Sequence, residues 1–133
     1  MFISLLADDL NKVRHVMVDS VKSSNNSILL GTIITYINAT QGKLLRPSLL
    51  LLFAKIFNAN QQDSIILAAT IELIHIASLL HDDVLDKADV RRYKQTINDK
   101  YGNQVAILAG DFVYTKALQL IQTITAKNKL KVS

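Results

Sequence analysis

Ser64-Ile65-Ile66-Leu67-Ala68-Ala69-Thr70-Ile71-Glu72-Leu73-Ile74-His75-Ile76-Ala77-Ser78-Leu79-Leu80-His81-Asp82-Asp83-Val84-Leu85-Asp86 reads as one long helix that carries both a core face and chemistry. Glu72, His75, Leu79, Asp82 and Asp86 follow one another at steps of three or four, so a polar line runs down a helix otherwise made of Ile, Leu and Ala. Buried charge without a partner costs several kcal/mol, so that line must face partners or a cavity. Asp82 and Asp86, at i and i+4, share one face and can reach one hard cation, with Asp83 offset by one position. Arg91-Arg92 follows closely and supplies the opposite sign. An isolated acidic pair at a helix end is commonly only solvated. Three acids closing an apolar helix and followed by two guanidiniums instead suit magnesium bridged to phosphate, with arginines neutralising the remaining oxygens.

Working outward, Leu6, Leu10, Val13 and Met17 recur at helical spacing and predict a first amphipathic helix of about five turns, ended by Ser23-Ser24-Asn25-Asn26. Ser27 suits the cap of a second helix running to about Asn38, and Gly42 breaks the chain. Pro47 suits the start of a third helix over 47–57, apolar on nearly all sides and therefore expected to be central. Asp63 is the expected cap of the fourth helix, over 64–86. A loop over 87–95, a short helical turn from Thr96 to about Gly102, and a last helix capped by Asn103 and running to about Lys127 complete an all-α pattern without a convincing strand.

The composition agrees with a packed helical unit. The chain has 133 residues, half of them hydrophobic, with four Gly, one Pro and no repeat or low-complexity tract. The absence of cysteine excludes disulfides, zinc-thiolate sites and a cysteine nucleophile. A net charge of +4 with few aromatics and scattered lysines argues against a nucleic-acid surface and for a basic pocket that takes small anions. The N-terminal segment lacks a basic n-region and is cut by Asp8 and Asp9, so no signal peptide is read there and a cytoplasmic location is expected. The apolar run 64–80 is short for a membrane span and carries Glu72 and His75, so it is read as a buried core helix and no transmembrane segment is expected.

A second constellation lies upstream. In Gly42-Lys43-Leu44-Leu45-Arg46-Pro47, Lys43 and Arg46 stand three apart before an apolar helix, where positive side chains and free backbone donors suit a phosphate group. Together with Glu72-Leu73-Ile74-His75, the run Ser78 to Asp86, Asp89-Val90-Arg91-Arg92 and Leu108-Ala109-Gly110-Asp111-Phe112, this segment resembles the trans-type polyprenyl diphosphate synthases in order and spacing over about 25–120. The resemblance implies the N-terminal half of an isoprenoid-synthase-type helical bundle. It implies that Asp82, Asp83 and Asp86, as the first DDxxD motif, bind the Mg2+ ions that grip an allylic diphosphate. It further implies that Lys43, Arg46, His75 and Arg92 hold isopentenyl diphosphate, and that Arg91 holds the allylic one. Ionisation of the allylic substrate, attack by the isopentenyl double bond and loss of a proton then need no enzyme nucleophile. Glu72, His81 and Asp111 receive no ligand role. Ala77 and Ser78, small and just upstream of Asp82, imply a long-chain, octaprenyl-like product, because the growing chain passes that face.

Two departures from the family pattern stand out. Tyr93-Lys94-Gln95-Thr96 replaces the usual Gly-x-Pro-Thr after the arginine pair, which removes the residues that set that turn. Family members are also considerably longer, and their second aspartate-rich motif is not found in this sequence. The tail 127–133 matches no family element. The chain is thus expected to be one truncated synthase domain over 1–133, inactive alone, with apolar faces left uncovered and a tendency to associate with itself or with a C-terminal half. A non-catalytic binding or dimerisation module, a subunit completed by a separate chain, and a helical anion-binding scaffold with a merely solvated acidic cluster are the alternatives.

Overall fold

The computed structural model describes residues 2–22, 27–40 and 42–132. Its helices are α1 (Phe2–Val21), α2 (Ile28–Thr40), α3 (Leu45–Ile56), α4 (Gln61–Leu85), α5 (Ile97–Tyr101) and α6 (Asn103–Val132). The chain is all-α apart from a two-residue hairpin, β1 (Val90–Arg91) with β2 (Lys94–Gln95). The segment 23–26, expected to end the first helix, lies outside the described residues.

α4 is the axis of the fold, packed against α6, α3 and α1. The predicted stripe of α1 is its buried face: Leu6, Leu10, Val13 and Met17 all enter the core. α6 meets the bundle through a seam of small residues, Ala106, Ala109, Val113 and Ala117, whose spacing keeps them on one face and lets the helices approach closely. α4 is, among the described residues, the one helix long and apolar enough to cross a membrane, yet more than half of its apolar window is buried against its neighbours. It serves as a core helix.

Several helix starts lie earlier than the sequence suggests. Ser27 does cap α2, its Oγ accepting from the Leu30 N–H at 3.1 Å. α3 begins at Leu45, with Leu44 left-handed before it, so Pro47 occupies a first-turn position whose missing N–H costs nothing. The cap of α4 is Asn60, whose Oδ1 accepts from the Asp63 N–H at 2.9 Å; Asp63 sits within the first turn, where its charge favours the helix dipole. At the start of α6, the carbonyl of Gly102 already accepts from Ala106, so Asn103 is helical rather than capping.

α3 is not central. Only Pro47, Ser48 and Leu51 are buried, while Leu45, Leu49, Phe53 and Ile56 are each more than half exposed along one face. The helix packs on α4 and α1, and among the described residues no element covers its other side. The uncovered apolar surface expected from the sequence is therefore present, on this helix above all.

The loop after α4 contains the strand pairing that periodicity missed. Val90 pairs with Gln95 and Arg91 with Lys94, and the two residues between them, Arg92 and Tyr93, have φ of 49° and 66°. Two successive positive φ values are those of a type I′ hairpin turn, which normally uses Asn-Gly. Holding a Tyr there costs about 1–2 kcal/mol. Because the Tyr93 side chain is fully exposed, Tyr93→Gly loses no packing and is expected to stabilise the fold by roughly 1 kcal/mol. A lowered thermal midpoint for that variant would show that the turn is unstrained.

Candidate diphosphate and metal site

The last turn of α4 gathers Asp82, Asp83 and Asp86, with no basic residue in that turn. Negative charge at a helix C-terminus opposes the macrodipole, so each carboxylate there is disfavoured unless a cation or solvent offsets it. Asp83 has one within the chain. It is 1% exposed, and Arg91 donates to its Oδ1 through Nε at 2.8 Å and Nη2 at 2.7 Å, while the Tyr36 hydroxyl donates to Oδ2 at 2.9 Å. Burial, followed by the Asp83 charge, pushes the Tyr36 hydroxyl well above its ordinary pKa, so it remains a donor. The hydrogen bond to Asp83 likewise raises that of Arg91.

This geometry sets Asp83 apart from Asp82 and Asp86, with which the family resemblance groups it as a metal ligand. One position past Asp82 the helix has turned by about 100°, so Asp83 faces inward and both its oxygens are engaged. Asp82 and Asp86 remain exposed, and among the described residues neither forms an ion pair. No three metal-ligating side chains converge among the described residues. Two exposed carboxylates one turn apart still fit a magnesium ion, which takes one or two carboxylates and fills its other positions with water and phosphate oxygens.

The second constellation does converge. Lys43, Arg46, His75 and Arg92, drawn from the turn before α3, from α3, from α4 and from the hairpin, line one pocket of about 270 Å³. Gly42 opens this pocket: at φ 29° it lies so close to Arg92 that a Cβ would stand 2.6 Å from Nη2 and 2.7 Å from Nη1. Burial, followed by the charges of Arg46, Arg91 and Arg92, lowers the pKa of His75 and holds the imidazole neutral. Glu72 lines the same pocket, 4% exposed, and its Oε2 is buried without a hydrogen-bond partner among the described residues.

A groove of about 370 Å³ runs between α4 and α6, lined by Ile74, Ala77, Ser78, His81, Asp111 and Tyr114. His81 Nε2 lies 3.1 Å from the Ile107 carbonyl and 3.3 Å from Asp111 Oδ1, so the ring is anchored across the groove. Gly110 makes room for it, since a Cβ there would overlap the imidazole.

The profile of the polyprenyl synthetase family matches residues 28–133. The chain belongs to the polyprenyl synthetase family. The match extends through the lysine-rich tail, which corrects the expectation that 127–133 matches no family element. Among curated polyprenyl synthetases, the octaprenyl diphosphate synthase of Haemophilus influenzae is 38% identical over 131 residues, 98% of this chain and 39% of that protein. The heptaprenyl diphosphate synthase component 2 of Geobacillus stearothermophilus is 36% identical, over 87% of this chain and 36% of that protein. The crystal structure of a decaprenyl diphosphate synthase from Rhodobacter capsulatus superposes with a TM-score of 0.86 at 30% identity, over 98% of this chain and 40% of that one. The architecture is thus that of the N-terminal part of an isoprenoid-synthase bundle, and the chain spans about two fifths of the length of these polyprenyl synthetases.

Tyr36 is the residue at the site that sequence reasoning missed, while Glu72, given no ligand role, and Gly42, read as a chain break, both line the pocket. Tyr36 stands between Ile33 and Ile37 on a buried face, and a buried phenol needs a hydrogen-bond partner, which was the available signal.

Proposed function

We propose that this chain forms the first half of a long-chain polyprenyl diphosphate synthase site, over residues 1–133 of one synthase domain. Lys43, Arg46, His75 and Arg92 hold isopentenyl diphosphate, and Asp82 and Asp86 hold magnesium against the allylic diphosphate, with Arg91 beside them. The observation that carries this reading is the single pocket lined by all four isopentenyl-binding candidates, with His75 on the helix whose C-terminal end carries the two exposed aspartates. In the reaction the allylic carbon–oxygen bond breaks with its electron pair leaving on diphosphate. The isopentenyl double bond attacks the allylic carbon, and the proton released from the isopentenyl unit passes to the departing diphosphate. Magnesium, when bound, supplies positive charge at the leaving group. The chain's own side chains fix both diphosphates in place and neutralise their oxygens.

The Ala77 and Ser78 groove supports a long product, since no large side chain from those positions closes it. The exposed face of α3 supports association, with a C-terminal half as the preferred occupant and a second copy as the other. The relative named as a component 2 favours assembly of this kind. A cytoplasmic location is in keeping with water-borne diphosphate substrates. A non-catalytic binding module is the second reading, favoured by the engagement of Asp83 within the fold.

Incubation with isopentenyl and allylic diphosphates and magnesium decides between them. Product is expected only when a C-terminal half is supplied. Turnover by the chain alone would overturn its incompleteness, and no turnover with any complement would favour the binding module.

A further inference from the structure

Glu72 is an acid placed where an anion is to bind, and the pocket as proposed above makes no use of it. The groups around it are Lys43 from the turn, Arg46 from α3, Arg92 from the hairpin and His75 from α4 itself. Lys and Arg can only donate, and none of the three makes an ion pair with Glu72. Its Oε2 is sealed from solvent with no partner among the described residues. An ionised carboxylate in that position leaves Oε2 without water, hydrogen bond or direct ion pair among the described residues, and it would also repel an arriving diphosphate.

We propose that Glu72 acts as a neutral acid that donates a hydrogen bond to the diphosphate bound in the Lys43–Arg46–Arg92 pocket. The ligand's oxygens are the acceptors that the surrounding cations cannot supply. Burial is the largest influence on Glu72 and raises its pKa, while Arg46 and Arg92 oppose it. A bound diphosphate would raise it further, so binding draws a proton onto the residue. Glu72 thereby becomes a positioning and specificity element, favouring a ligand rich in acceptors. The inference rests on the pocket's being a diphosphate site.

The test uses the full 133-residue chain and inorganic pyrophosphate without magnesium, by calorimetry across about pH 5 to 8 in buffers of differing ionisation heat. The wild type is expected to take up more protons on binding than Glu72→Gln, and the ligand's own titration cancels in that difference. The sign follows from the neutral form being the competent one. Wild-type affinity is full below the Glu72 midpoint and falls by up to about tenfold per pH unit above it, relative to the Gln variant, which donates at every pH. Glu72→Ala is expected to bind more weakly throughout, with helicity checked by circular dichroism. Equal proton uptake and equal pH profiles in wild type and Glu72→Gln would overturn the proposal. If Lys43→Ala with Arg46→Ala leaves pyrophosphate affinity unchanged, the diphosphate pocket itself is refuted, and the role of Glu72 falls with it.

Discussion

Asp83→Ala is expected to destabilise the fold by about 3 kcal/mol, whereas alanine at Asp82 or Asp86 changes stability by less than about 0.5 kcal/mol. The three acids look alike in sequence and differ in what they touch. Removing the Asp83 carboxylate strands the Tyr36 hydroxyl in the core and releases Arg91, whose two contacts tie the hairpin to α4. A stranded buried hydroxyl costs about 1–3 kcal/mol, and a broken buried pair about 3–5 kcal/mol. Arg91 keeps 27% of its side chain in water, so part of its loss is made good by solvent and the lower end applies. Urea denaturation measures the effect. Tyr36→Phe in the Asp83→Ala background should then cost less than it does alone, by about 1 kcal/mol, because its hydrogen bond is already gone. A loss below about 1 kcal/mol for Asp83→Ala would show that this network does not hold the hairpin.

Helical spacing made much of the bundle legible. The stripe Leu6, Leu10, Val13, Met17 and the long apolar run of α4 each say which way a helix faces, and the structure buries both as read. Caps were harder, because Asn60 and Asp63 are both good acceptors three residues apart and only the backbone turn chooses between them. α3 misled for a physical reason. An all-round apolar helix is expected to be enclosed, but Leu49, Phe53 and Ile56 face a side that the described residues leave open. At the site, spacing placed Asp82 and Asp86 on one face but could not reveal that Asp83 meets Tyr36, 47 positions earlier in the chain. Lys43 and Arg46 were legible as an anion site from their spacing before α3, but their meeting with His75 and Arg92 was legible only through resemblance, since no local pattern links these segments. The hairpin escaped because its turn residues, Arg92 and Tyr93, are not ones that favour positive φ.

Asp82→Ala with Asp86→Ala is expected to weaken magnesium-dependent binding of an allylic diphosphate by about 100-fold, equivalent to about 2.7 kcal/mol, and to leave the fold at least as stable. The sign of the stability term carries the weight here. Both acids sit at the negative end of α4 and one turn apart, so dipole and mutual repulsion each disfavour them by about 0.3–0.5 kcal/mol. Neither recovers this through an ion pair among the described residues, unlike Asp83 with Arg91. Carboxylates that the fold would do better without are accounted for by a cation that the fold itself does not supply. Titration of the allylic diphosphate with and without magnesium, in wild type and double variant, separates this from a merely solvated cluster. Binding that ignores magnesium, or that survives the double substitution, would remove the metal from the site. Asp83→Asn in the same titration completes the contrast: it should lower stability while leaving magnesium dependence in place, because both Asp83 oxygens are engaged by Arg91 and Tyr36.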